Sequence, residues 1–319
     1  MTASVVALGG GHGLYSSLTA LRSLTHDLTA IVTVADDGGS SGRLRDEMGI
    51  VPPGDLRMAL AALCEDTEWG RTWRDILQMR FETDGPLDGH AVGNLLIAAA
   101  WTHTGDVVEG LDWIGRLLRS EGRVLPLAEE PLEISAVTRD AHGSQTVRGQ
   151  VAVATAPGTV ASLALSPQAP KVPQATLDAI ARADMVVLGP GSWYTSVLTH
   201  FLVEPVARAL TEAGPRCVVV LNIAHEDQET AGTDRIDDIR ALRAVAADFT
   251  PAVVLAHSDD ARGGALVDCV ADWGARLMVA PMLEPGTRDR HDRGALAVQL
   301  ELASESIIRG TRGPRSMAG

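Results

Sequence analysis

Short apolar runs recur along the chain, and helix-length segments separate several of them. Residues 4–8 (SVVAL), 30–34 (AIVTV), 185–189 (MVVLG), 217–223 (CVVVLNI), 252–256 (AVVLA) and 276–281 (RLMVAP) are continuous rather than alternating, as in strands buried on both faces. Residues 14–25, 200–213, 234–247 and 260–273 carry the helical segments between them. This alternation predicts an α/β fold: a Rossmann-like, doubly wound, mostly parallel sheet with helices on both faces. The middle departs from it. Residues 53–120 read as helical throughout, and 124–167 alternate like antiparallel strands, as in LEISAVTRD and TVRGQVAVAT. We therefore expect one domain over 1–303, with a helical insertion at about 53–120 and a β extension at about 124–167. The closing stretch, 304–319, ends in RGTRGPRSMAG and is expected to be a disordered tail.

Composition narrows the partners. The net charge of −14 over 319 residues repels phosphate on average, which argues against nucleic acid or an anionic membrane surface. No stretch reaches the roughly 18 apolar residues of a membrane span, and no basic segment precedes the first apolar run. Cys64, Cys217 and Cys269 are scattered in apolar settings, as expected of thiols buried in a reducing cytoplasm. Lys171 is the only lysine and sits in a Pro-rich loop, so recognition of a phosphate falls to arginines, backbone N–H groups and hydroxyls.

Five stretches carry candidate chemistry. Gly9-Gly10-Gly11-His12-Gly13 links a strand to a helix, the context of a phosphate-binding turn, although the spacing fits G-x-G-x-x-G poorly. A tight structural turn is the alternative, and His12 reads as a loop residue near the ligand. The next strand leads into VADDGGSSGRLR, which places Asp36 and Asp37 at the same carboxyl edge. Asp36 suits a ribose-binding acid; the pair, Asp37 above all, suits Mg²⁺ beside phosphates. Gly38, Ser40 and Ser41 form a donor-rich loop, with Arg43 and Arg45 placed to clamp an anion. In VPPGDLR, Asp55 reads as a helix cap or a ligand contact, and Arg57 as a ligand contact or a surface ion pair. His90 and Asn94 fall at i and i+4 on one helix face, as a pocket wall or as a capped turn with a satisfied histidine. Gly189-Pro190-Gly191-Ser192, followed by Thr195, repeats the strand-to-glycine-turn design, and Asn222 ends the following run at the same edge.

Together GGGHGL, VTVADDGGSSGRLR, PPGDLR, GHAVGNLL and LGPGSWYTSVL resemble the CofD/YvcK-like family, and more closely its YvcK branch. The resemblance implies a cytoplasmic protein that binds UDP-sugars such as UDP-N-acetylglucosamine or UDP-glucose. It is similar to gluconeogenesis factors needed for cell shape and wall synthesis on gluconeogenic carbon. It carries over Gly9 to Gly13, Asp36, Asp37, Arg43, Asp55, His90, Asn94, Ser192, Thr195 and Asn222 as site residues, and a homodimer as the default assembly. The alternative is an Mg²⁺-dependent transferase of a phosphate-linked group, like the CofD 2-phospho-lactate transferase. An NAD(P)-dependent oxidoreductase fits the imperfect fingerprint least.

Overall fold

The computed structural model describes residues 3–140, 143–156, 158–223 and 234–311. Its strands are β1 (Val5–Gly9), β2 (Leu28–Val32), β3 (Arg123–Pro126), β4 (Glu133–Asp140), β5 (Gly143–Arg148), β6 (Thr159–Ser166), β7 (Met185–Leu188), β8 (Cys217–Val220), β9 (Val253–His257) and β10 (Arg276–Ala280). Its α-helices are α1 (Gly11–Arg22), α2 (Gly39–Met48), α3 (Gly54–Ala62), α4 (Glu68–Gln78), α5 (Val92–Thr104), α6 (Val107–Leu118), α7 (Gln150–Ala154), α8 (Gln174–Arg182), α9 (Glu204–Ala213), α10 (Arg235–Val245), α11 (Ala265–Asp272) and α12 (Arg293–Thr311).

Seven strands form one parallel sheet in the order β10-β9-β8-β7-β1-β2-β3. Every residue of β1, β7, β8 and β9 is buried, which is why these segments run apolar without alternation. β10, at one edge, is partly exposed. Local chemistry starts several helices. Asp106 caps α6 by accepting from the Glu109 N–H, and Thr67 caps α4 through Gly70. Asp234 and Asp237 form a reciprocal capping box at α10. α1 has no side chain at its own N-cap, because Gly10 stands there.

The doubly wound parallel sheet is the predicted fold class. Two boundaries differ from expectation. Residues 124–126, read as the start of the β extension, instead belong to β3, the edge strand of the main sheet, paired in parallel with β2. Helices α2 to α6 are thus the crossover from β2 to β3. β3 has four residues and one neighbour, too short for its pattern to separate it from the antiparallel strands that follow. Those strands, β5-β4-β6, form their own sheet. The second difference lies at the C-terminus. Residues 304–311 are not a disordered tail: they continue α12, with Ser304 and Ile307 buried. Leu300, Ala303 and Ile307 keep a helical apolar stripe running past residue 303. The remaining tail, 312–319, and the polar loop 225–230 lie outside the described residues.

A chain ending at Glu305 loses the Ile307 contact, so it should still fold but with about 2 kcal/mol less stability in urea unfolding. An unchanged midpoint would show that Ile307 adds nothing.

Candidate functional site

β1 is the point from which the chain winds in both directions, with β2 and β3 on one side and β7 to β10 on the other. Crevices at such switch points, outside the carboxyl ends of the strands, are where open α/β sheets bind ligands. Two glycine turns meet here. Gly10 is extended and Gly11 left-handed at φ +54°. A Cβ on Gly10 would lie 2.5 Å from Asp55 Oδ2 and 2.7 Å from Thr33 Cγ2. A Cβ on Gly13 would lie 2.1 Å from the Pro190 carbonyl oxygen. The turn after β7 is fixed by Asn222, which accepts from Gly191 N–H at 2.8 Å and donates to the Gly191 carbonyl at 2.9 Å. Ser17 donates to the Gly189 carbonyl at 2.8 Å.

The helix start leaves early N–H groups of α1 without intrahelical acceptors. Asp55 accepts from the Gly11 N–H. His12 and Gly13 follow, and both line a cleft of about 680 Å³. Arg57 and Met58 of α3, Gln78, Arg80, Pro190, Gly191 and Asn222 line it too, with Tyr15 and Ser16 of α1. Asp289, Arg290, His291 and Arg293 close it from the C-terminal segment.

Behind this surface is a buried polar network. Arg57 is 5% exposed; its Nε donates to Asn94 Oδ1 at 2.9 Å, and its Nη1 is buried with no partner. Asn94 in turn donates to Ser40 Oγ at 3.0 Å, and Ser40 Oγ lies 3.1 Å from His90 Nδ1. Burial lowers the Arg57 pKa to about 10, aided by Arg80; Asp55 and Asp36 oppose the shift. Burial pushes the Asp55 carboxyl up to about 7 and Asp36's charge adds to the push; the Gly11 N–H and Arg57 oppose it. Asp36 is also raised by burial, against the Gly38 N–H that its Oδ1 accepts at 2.9 Å. Desolvation pushes His291 down to about 4, with Leu221's carbonyl opposing.

Of the residues predicted from sequence, His12, Gly13, Arg57, Gly191 and Asn222 line the cleft. Gly9, Gly10, Gly11 and Gly189 shape its turns, and Asp36, Asp55, Ser40, Ser41, His90 and Asn94 sit behind or beside it. Others have different jobs. Asp37 Oδ1 accepts from Val151 N–H at 3.0 Å at the start of α7. The charge facing buried Asp36 across the turn includes Asp55 as well as Asp37. Among the described residues no three His, Cys, Asp or Glu side chains form a metal cluster. Arg43 is exposed and donates to the Asp88 carbonyl, holding the 86–88 loop rather than the cleft. Ser192 and Thr195 hydroxyls bond each other, and Thr195 is fully buried. Gly38 caps α2. Sequence reasoning passed over Tyr15, Arg80 and the 289–293 segment; the arginine-rich run TRDRHDR at 287–293 was the available signal.

The unfolded Asp55 carboxyl titrates near 3.8 and the folded one near 7. Between those values the folded state holds a proton that the unfolded state has released. Stability therefore falls as pH rises from about 4 to about 7 and is flat above, by on the order of 4 kcal/mol from this group. Asp55→Asn should remove most of that fall, leaving a smaller one from Asp36. Urea midpoints across this range test it, and an unchanged slope would show that Asp55 does not titrate there.

A family profile described as 2-phospho-L-lactate transferase CofD matches residues 5–270. The chain is 45% identical over 309 residues to a protein of Mycobacterium tuberculosis (strain H37Rv), spanning 94% of this chain and 90% of that one. It is 38% identical over 239 residues to the gluconeogenesis factor of Halalkalibacterium halodurans, spanning 75% of this chain and 72% of that one. The gluconeogenesis factor of Bacillus subtilis is 37% identical over 238 residues, spanning 75% and 73%. The crystal structure of a UPF0052-family protein from Bacillus halodurans superposes with a TM-score of 0.83 at 31% identity, covering 97% of this chain and 99% of that one. The chain therefore belongs to the CofD/YvcK-like family, on the branch of the gluconeogenesis factors.

Proposed function

We propose that this chain binds a UDP-sugar, UDP-N-acetylglucosamine or UDP-glucose, in the switch-point cleft and acts as a regulator rather than a catalyst. The observation that carries the reading is Arg57: a buried guanidinium with an unpartnered Nη1, on the wall of a cleft that also holds the start of α1. A buried donor without a partner is costly, and an anionic ligand would supply the missing acceptor. Arg80, Arg290 and Arg293 add positive charge around the same space. The volume, about 680 Å³, falls within the range of sites for such ligands. The reading also favours a cytoplasmic homodimer that supports cell shape and wall synthesis on gluconeogenic carbon, as the branch resemblance implies.

The second reading is a transferase of a phosphate-linked group. Asp55, with a pKa near 7 beside Arg57 and Asp36, favours it, because a carboxyl so poised is suited to accepting a proton. The CofD profile points the same way.

Calorimetric titration with UDP-N-acetylglucosamine, with and without Mg²⁺, followed by analysis of the recovered ligand, separates the two. We expect saturable binding with the ligand unchanged. Arg57→Gln should weaken it about tenfold or more, as expected when a charged hydrogen bond to phosphate is lost. Turnover would move the protein to the transferase reading, and absence of binding would end the nucleotide-sugar one.

A further inference from the structure

We infer that Tyr15 and Arg293 form a stacking platform for the planar base of the ligand, so that the nucleotide runs from Arg57 toward α12 and not toward the end of β2. This rests on the nucleotide reading above. In the usual dinucleotide arrangement an acid at the end of the second strand takes the ribose. That route is filled here. Asp36 Oδ1 is occupied by the Gly38 N–H. Ser40 Oγ bonds both His90 and Asn94, and each of the three is 6% exposed or less. None of these four residues lines the cleft.

The opposite side is open and chemically suited to a ring. Arg293, at the first turn of α12, places its guanidinium carbon 5.5 Å from the Tyr15 ring centroid. Both residues line the cleft, Arg293 is exposed, and Tyr15 is half-buried. Among the described residues lining it, Tyr15 is the one phenol or indole ring. A guanidinium lying over an aromatic ring has its flat face held in place and offers its other face for stacking. Bases stack on aromatic rings and on arginine planes alike. Arg293 also lies beyond residues 5–270, the stretch the family profile matches.

The test uses the full chain and two probes, UDP and inorganic pyrophosphate, titrated against wild type, Arg293→Gln, Tyr15→Leu and Tyr15→Phe, with melting curves to confirm folding. Wild type should bind UDP at least tenfold more tightly than pyrophosphate. Arg293→Gln and Tyr15→Leu should lose about tenfold for UDP and less than twofold for pyrophosphate, and Tyr15→Phe should keep both. Equal losses for the two probes would make Arg293 a phosphate ligand and overturn the platform. UDP binding that is unchanged in both variants would overturn it as well, while leaving the nucleotide reading intact. A wild type that binds neither probe overturns the nucleotide reading itself, and the platform falls with it.

Discussion

The site depends on two backbone turns packed against each other with no side chain between them. Gly13, in the first turn of α1, approaches Pro190 and Gly191 so closely that a Cβ would fall 2.1 Å from a carbonyl oxygen. One residue class satisfies that contact. Because the turns belong to β1 and β7, adjacent strands that lead the chain in opposite directions, their contact fixes the floor of the switch-point crevice. Gly10 makes a second close approach, toward Asp55 and Thr33, which seats α3 against the start of α1. Arg57 lies two residues beyond Asp55 on that helix, so the same packing that admits Asp55 brings the guanidinium to the cleft wall.

The charge arrangement follows from this packing. A chain with a net charge of −14 needs a local positive field to hold an anion, and it gathers Arg57, Arg80, Arg290 and Arg293 around one cleft. Burying Arg57 strips its hydration, and its pKa falls to about 10. Asp36 and Asp55 offset that cost without taking up every donor, since Asn94 holds Nε and Nη1 is left over. Burial first, and then repulsion from Asp36, raise the Asp55 carboxyl to about 7, so it holds its proton toward neutrality.

Much of this was legible in the sequence. The unbroken apolar runs announced the parallel sheet, because strands covered on both faces have no polar side to show. The glycine turns were legible as turns, and Arg57 and Asn222 as candidates, from their place just after a strand or a proline-marked helix start. What was not legible depended on distance in three dimensions. β2 ends at Val32, and three residues of chain pass before Asp36, which carries it under α3 instead of into the cleft. Arg43 follows the Ser-Ser-Gly loop in sequence, yet it sits on the exposed side of α2, facing the 86–88 loop. The run at 287–293 is visibly basic, but nothing local says that α12 packs back on α1, some 280 residues earlier, and sets Arg293 over Tyr15. β3 was lost for the opposite reason, being too short for its own pattern to speak.

Asp55 links the glycine turn to the cleft through one proton. Its carboxylate accepts from the Gly11 N–H at the start of α1, while the next residues of that helix line the cleft. An anion placed in the cleft adds negative charge close to a carboxyl already poised near 7, and so favours its protonated form. Linkage is reciprocal: if binding favours the proton, the proton favours binding. A neutral Asp55 would also compete less with the ligand for Arg57. The acidic residue that looked at first like a ligand contact or a simple cap thus has a third role. Under the nucleotide reading it would set how much of Arg57's positive charge is available to the ligand.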